Sequence, residues 1–531
     1  MMRNNSKKYV FGLLYALIGI FTILYIRHNW GYAVDDSYIT FRYADNLRAG
    51  YGLRFNVAEQ FYGTTAAGYA LLVCALSFVV DPFLKLFGAA QFIGAGHTSI
   101  PVAGTVLSAL SIGGICVTMV RLVQLRACNP PGILLAVLST VVTFTCLASN
   151  IVSSHETYTF LFVALASTYA YLIARRPITS AVLMALACSI RPDTVLIAGM
   201  LFVVAVGIAL RRHETSLLGR LRGPLKYALC LGLLMVLWLF YARWNFGAFS
   251  PETLIAKKAQ MLLRDFPGFD LKNLKAQMLI YGGQFVVALG ALAILSYAAI
   301  FASAKQGNSI KNADLILLGL IWTGYAIGDT SAYLIFNVSI WSWYVIAIMF
   351  SGAFAVFAFA IAAIGDGWAL GAPGRRVVSV ATALGVMLVV FGWKNAPASV
   401  EHWFTVRNVN DHITSYVPAA DFIRKENPNG TTIITCEPGA FAFRLGPKYE
   451  VVDELGLVSP GVAREIVKGD MDYPFKRWRP KYIIISWHGL YTPEGRSWLD
   501  RDYTQVLSFD GPWWKSFGIT ARVLQRKQNA S

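Results

Sequence analysis

The chain of 531 residues predicts a polytopic α-helical membrane protein with a C-terminal α/β domain, on three observations. Hydrophobic residues make up 56% and charged residues only 14%, where soluble domains carry about 25% charged. Mean hydropathy is +0.52. Apolar runs of about 20 residues recur from Tyr9 to Val390, and each can cross a hydrocarbon core of about 30 Å as a helix. Beyond them the pattern changes to short β-branched runs alternating with helix-like stretches. Disordered, collagen-like and disulfide-scaffold chains are excluded by the same composition.

The first apolar run, Tyr9 to Ile26, follows Arg3, Lys7 and Lys8 as a signal sequence would. No small-x-small cleavage site precedes His28-Asn29-Trp30, so it reads as a retained anchor with a cytoplasmic N-terminus. Basic clusters nearly free of acids follow at Arg121/Arg126, Arg175/Arg176, Arg211 to Lys226, Lys305/Lys311 and Arg375/Arg376. Placing all five in the cytoplasm gives spans at about 9–27, 98–120, 132–150, 157–174, 178–190, 194–210, 227–244, 279–303, 313–328, 343–364 and 376–393. That is about 11 transmembrane helices. Thr65 to Val80 is also apolar but would invert every later cluster if it crossed. Broken by Gly68 and followed by Asp81-Pro82, it is expected to be a re-entrant or juxtamembrane helix. Residues 1–393 then form the membrane domain and 394–531 an extracytoplasmic α/β domain.

The net charge of +17 does not indicate a nucleic-acid partner. Cytoplasmic segments hold 16 Lys/Arg against Glu214, Asp314 and Asp366, so most of the excess is orientation charge. Of seven cysteines only Cys436 lies in the outside domain, which therefore has no internal disulfide. That domain shows strand-like runs at Thr431–Thr435, Tyr449–Val452 and Lys481–Ser486, and a helix-like stretch at Val462–Lys468. No internal repeat is visible, which weighs against repeat-built transporters.

Candidate chemistry gathers where loops meet the outer face. Ser37 to Leu47 has helical periodicity, which predicts a short helix lying on the membrane, and Asp35 and Asp36 stand at its start. They are either helix-terminal acids, worth about 1 kcal/mol, or a general base and a ligand for a divalent cation. Glu156, in Ser153-Ser154-His155-Glu156-Thr157, is the only carboxylate between Asp81 and Asp193. It is either a loop acid or a second catalytic or metal-binding carboxylate. Lys257 and Lys258 break the orientation rule, and with Arg42 are candidates for an anionic phosphate; snorkelling at the interface is the plainer reading. His155, Arg191, Tyr344 and Glu437 are candidate substrate contacts, although Arg191 and Asp193 could form a structural ion pair and Tyr344 an aromatic belt.

The order of these elements resembles the GT-C superfamily of polyprenyl-phosphate-sugar-dependent glycosyltransferases. It is most similar there to the AftB-like group, which contains the mycobacterial terminal β-arabinofuranosyltransferase. DDSYITFRYADNLRAGYGLRFN, from Asp35 to Asn56, carries the resemblance. Weaker matches are Glu156-Thr157, Arg191-Pro192-Asp193, Pro251 to Lys257, and Val451-Val452-Asp453-Glu454-Leu455-Gly456-Leu457. The element after Asn56 departs from the group at Phe61-Tyr62-Gly63-Thr64-Thr65.

The resemblance implies an inverting transferase in a bacterial cytoplasmic membrane, working on its periplasmic side. It would move a sugar, with arabinofuranose the best choice, from a polyprenyl phosphate to a hydroxyl of an envelope glycan, glycolipid or glycoprotein. Asp36 is then the first choice of base and Asp35 the second. Lys257, Lys258, Arg42 or a divalent cation (Mg, Mn or Ca) would balance the leaving phosphate, and Glu156 would orient the acceptor or, with Asp35 and Asp36, ligate the metal. A lipid-linked-sugar transporter would instead place ionisable residues within the spans. An O-antigen-ligase-like transferase would not need the paired aspartates.

Overall fold

The computed structural model describes residues 4–87, 99–148, 154–211, 216–262, 312–338, 341–366, 411–486, 497–511 and 520–528. Among them, seven helices are long and apolar enough to cross a membrane. In chain order the helices before the sheet are α1 (Asn4–His28), α2 (Asp35–Arg48), α3 (Ala67–Phe87), α4 (Ser99–Arg126), α5 (Pro130–Ala148), α6 (Glu156–Leu172) and α7 (Pro177–Ile190). There follow α8 (Val195–Leu210), α9 (Leu217–Phe246), α10 (Thr253–Met261), α11 (Ala313–Ile335) and α12 (Ser342–Asp366). The spans expected at 279–303 and 376–393, and the boundary after residue 393, lie outside the described residues.

Side-chain ties between remote segments give each helix a direction. At one end of the bundle Lys7 Nζ donates to the Cys128 carbonyl at 2.8 Å, and Arg126 pairs with Asp314. Gly365 packs at the same end, where a Cβ would meet the Arg126 carbonyl. At the other end Thr105 Oγ1 donates to Asn29 O at 3.0 Å, and Asn245 Nδ2 to Leu53 O at 2.9 Å. The basic groups Arg121, Arg175, Arg176, Arg211, Arg220, Arg222 and Lys226 therefore all belong to the Lys7 end, as the orientation rule requires of one membrane side.

The 21-residue α3 is longer than expected, because Asp81-Pro82 does not end it. Length alone would let it cross. Yet Tyr69 OH, near its start, reaches the Ser154 carbonyl at 3.1 Å, while Ser77 and Asp81 are both held by Arg48, which also donates to Ser99 Oγ at 2.6 Å. Ser99 opens α4 at the Asn29 end. Both halves of α3 are thus tied to one end of the bundle, in keeping with a helix that does not traverse it.

The C-terminal region contributes α13 (Val417–Glu426), β1 (Thr432–Thr435), α14 (Gly439–Leu445), β2 (Glu450–Asp453), α15 (Val462–Val467), α16 (Tyr473–Trp478), β3 (Tyr482–Ile485), α17 (Ser497–Asp502), β4 (Tyr503–Phe509) and β5 (Ala521–Arg526). The sheet order is β2-β1-β3-β5-β4. β1 runs parallel to β2 and β3, with Ile433 opposite Val451 and Ile434 opposite Val452; β5 runs antiparallel to β3 and β4. Alternation sends Ile434, Val452, Ile483 and Leu524 to one face, against Phe475. Ile433, Val451, Tyr482 and Val523 go to the other, which is continuous with the core of the helical bundle. The strands β4 and β5 escape a sequence reading because β4 is half exposed and interleaves Thr504 and Gln505 with its apolar positions.

Periodicity suggested that α2 would lie on the membrane. Its residues from Ser37 to Asn46 are instead buried all round. A polar helix can be buried only where its polar groups find partners, and here α14 supplies them. Ala440 N donates to Asp35 Oδ1 at 2.8 Å, and Tyr38 packs on Phe443 with centroids 5.3 Å apart. Gly439 permits the approach, since a Cβ there would lie 2.1 Å from the Asp35 carbonyl.

Candidate active site at one end of the bundle

A cavity of about 290 Å³ opens at the Asn29 end, between the bundle and the sheet region. Each wall is set by a different local device. Asp36 comes from the first turn of α2, where it also complements the helix dipole. Its side chain makes no hydrogen bond among the described residues. Burial raises its pKa above the usual carboxylate range, with Lys257 opposing the rise. A base whose pKa approaches the working pH is the more effective one.

His155 and Glu156 open α6. The preceding Ser154 adopts φ 65, a left-handed conformation that costs about 1–3 kcal/mol at a non-glycine residue. It is held there by Ser154 Oγ donating to Tyr32 O at 2.7 Å, by Thr105 Oγ1 at 3.0 Å and by the Tyr69 hydroxyl on its carbonyl. The strain turns the next two side chains into the cavity. His155 Nδ1 lies 3.0 Å from Glu156 Oε2 and 2.9 Å from Thr157 Oγ1. Burial pushes its imidazole down to about 3, so the ring is neutral at physiological pH and stacks near Trp343, centroids 5.6 Å apart.

Lys257 reaches the cavity from α10. Ala256 and Ala259, three residues apart, pack on Val462, Ala463 and Ile466, which fixes the rotation of this short helix. Lys257 then lines the cavity, with its ammonium 5.9 Å from the Trp341 ring. Lys258, about 100° further round, is exposed.

The far wall is a buried ionic group. Arg191 Nε and Nη2 form a fork on Asp193 at 3.1 and 2.5 Å, and Tyr325 OH donates to Asp193 at 3.0 Å. The guanidinium lies 4.6 Å from the Phe160 ring and 5.3 Å from that of Tyr344. Asp329 and Tyr333, from α11, complete the wall.

The sheet region supplies the roof through Leu457. Asp453, buried at the end of β2, accepts from the backbone N–H groups of Leu455 (2.9 Å), Leu457 (2.6 Å) and Val458 (3.4 Å), while Ser459 Oγ accepts from Asp453 N. Gly63 lies against this turn, where a Cβ would meet the Leu457 carbonyl at 2.5 Å. The Asp453 to Leu457 motif thus shapes the roof.

The structure brings together Asp36, Glu156, His155, Arg191, Lys257 and Tyr344 of the expected residues. Others stand apart. Asp35 is engaged with the backbone of α14. Arg42 is buried outside the cavity, and each of its three nitrogens donates elsewhere, to Phe55 O, Asn56 Oδ1, Ala442 O and Tyr449 O. Glu437 accepts from Tyr416 OH outside the cavity. Asp35, Asp36 and Glu156 do not form a metal site: among the described residues no three His, Cys, Asp or Glu side chains converge to hold an ion. The reason is local, since the adjacent aspartates point about 100° apart on α2. Sequence reasoning missed Asp329 and Tyr333, which sit near the end of an ordinary apolar run. A lone acid within such a run is the signal that finds Asp329.

The fold is that of a polytopic helical membrane protein, with a mixed-sheet region closing one end of the bundle. It is similar to the crystal structure of ArnT from Cupriavidus metallidurans bound to undecaprenyl phosphate, at 13% identity and a TM-score of 0.52, covering 100% of this chain and 99% of that one. At that identity the likeness is one of fold. No family model matches the chain, and no curated protein matches it.

Proposed function

We propose that the protein is an inverting membrane glycosyltransferase, moving a sugar from a polyprenyl-phosphate donor to an acceptor hydroxyl of an envelope glycan, glycolipid or glycoprotein. Arabinofuranose is the specific sugar proposed. The observation that carries this reading is the Asp36 carboxylate, unengaged at the cavity wall while Lys257 lines the same space. The fold it shares with a protein solved with undecaprenyl phosphate bound adds support. The basic groups at the opposite end support, by the orientation rule, an extracytoplasmic cavity with the 394–531 domain on the same side.

In this reading the acceptor hydroxyl gives its proton to Asp36 as its oxygen bonds to the anomeric carbon. The bond from that carbon to the phosphate oxygen breaks, its electron pair leaves with the prenyl phosphate, and the centre inverts in one displacement. Lys257 stabilises the charge that develops on the leaving phosphate. Glu156, with His155 beside it, orients the acceptor. The acid set does not fit a divalent cation, so no step passes through one.

The test is transfer of radiolabelled arabinose from a prenyl phosphate in purified membranes. Asp36→Asn keeps the shape but removes the base, and transfer should fall about 10²-fold or more while the protein remains folded. Near-normal turnover would overturn the assignment, and loss in Asp35→Asn alone would move the role to its neighbour.

A further inference from the structure

The far wall of the cavity contains a combination that the transfer step does not use. Asp329 is 2% exposed and Arg191 4%. Asp329 Oδ2 and Arg191 Nη1 are both shielded from water and have no hydrogen-bond partner among the described residues. A buried polar atom left unpaired costs about 1–3 kcal/mol, and more when charged, so its retention asks for an explanation. The Arg191–Asp193 fork does not supply one. It engages Nε and Nη2, which leaves Nη1 on the opposite edge of the guanidinium. Asp193 is itself filled by Arg191 and Tyr325.

Chemistry limits what could satisfy both atoms. A phosphate would meet Arg191 favourably but face Asp193 and Asp329 in the same wall. A metal ion would face the guanidinium. A hydroxyl can donate to the carboxylate oxygen and accept from the guanidinium N–H, and a pair of neighbouring hydroxyls can do both at once. Tyr333 and Tyr344, with rings 4.9 Å apart, border the same recess and offer apolar surface to the C–H face of a ring. The cavity of about 290 Å³ has room for one sugar ring.

We propose that Asp329 and Arg191 form the subsite that binds the sugar ring of the lipid-linked donor, Asp329 accepting from one ring hydroxyl and Arg191 Nη1 donating to a neighbour. The proposal rests on the transferase reading of the cavity and assigns its sugar-recognising wall. It makes the enzyme selective for a neutral, hydroxylated sugar. Lys257 serves the phosphate and the far wall serves the ring.

The experiment measures binding to the full-length protein in detergent, by tryptophan fluorescence, for two probes: a short-chain prenyl phosphate, and the same lipid carrying arabinofuranose. The sugar should tighten binding to the unaltered protein by about ten- to a hundredfold, the range for a charge-assisted hydrogen bond. Asp329→Asn should remove most of that gain and leave affinity for the bare prenyl phosphate unchanged. Because the substitution keeps the shape of the side chain and removes a buried carboxylate, its melting temperature should hold or rise. A sugar-dependent gain equal in the unaltered protein and Asp329→Asn would overturn the subsite and leave the transferase reading standing. Loss of affinity for both probes with a lowered melting temperature would make Asp329 structural and overturn it as well. If neither probe binds the unaltered protein, the transferase reading itself fails.

Discussion

Two buried arginines divide the molecule by what they leave unsatisfied. Arg42, in the seam between α2 and the sheet region, spreads its guanidinium over Phe55 O, Asn56 Oδ1, Ala442 O and Tyr449 O. Burial lowers its pKa to about 9, yet every arm has an acceptor. Arg191, in the cavity wall, is fixed by Asp193 and keeps one nitrogen unpaired. A completed network marks a structural joint, and an incomplete one in a cavity marks a place for a ligand.

Substitution at the joint should have the largest effect. Arg42→Met removes four hydrogen bonds to buried oxygens that tie α2 to the loop after it and to the sheet region, and a bond from a charged donor is worth about 1.5–3 kcal/mol. Thermal unfolding in detergent should show a large loss of stability, and Arg42→Lys should rescue it only in part, because one ammonium cannot span the same acceptors. If Arg42→Met melts normally but loses donor affinity, the two arginines are not different in kind.

The next effect separates the adjacent lysines of α10. Lys257→Met should raise the donor KM or lower kcat by one to two decades, since a charge-assisted contact is worth about 1.5–3 kcal/mol. Lys258→Met should change little. Equal, small effects in steady-state assays would make both lysines interfacial anchors.

A pH profile sharpens the comparison further. Asp36 works as a base only when deprotonated, and burial raises its pKa. Activity should therefore rise with pH, and the acid limb of kcat/KM should lie above the ordinary aspartate value of about 3.9. Lys257 holds that limb down, so Lys257→Met should move it to higher pH. A limb that stays in place in the variant would disconnect the two residues.

The smallest effect is expected at the roof. Asp453, whose carboxyl burial raises to about 6, holds the turn that carries Leu457. Asp453→Asn keeps one side-chain acceptor and removes the second. A several-fold rise in acceptor KM with little change in kcat is expected from steady-state kinetics; a matching fall in kcat would bring the turn into the chemical step.

The paired aspartates show how much of the site was legible in the sequence. Their position after the first span announced a polar element at one end of the bundle, and it did not say which of the two faces the cavity. That choice was made by α14, some 400 residues further along the chain, whose Ala440 N engages Asp35. Lys257 and Lys258 are the same case: helical geometry separates them, but the packing of Ala256 and Ala259 on α15 decides which one turns inward.

The sequence by itself determined the class of molecule, the direction of the described spans and the polar loops that meet at one end. Those properties follow from apolar length and from the distribution of basic charge, which are local and additive along the chain. Only the tertiary structure decided that α2 is buried all round, that Arg42 and Asp35 belong to a joint, and that Asp329 enters the cavity wall. The first two depend on which hydrogen-bonding groups the sheet region brings within about 3 Å once it has docked, and the third on how α11 packs beside the helices that carry Arg191 and Asp193.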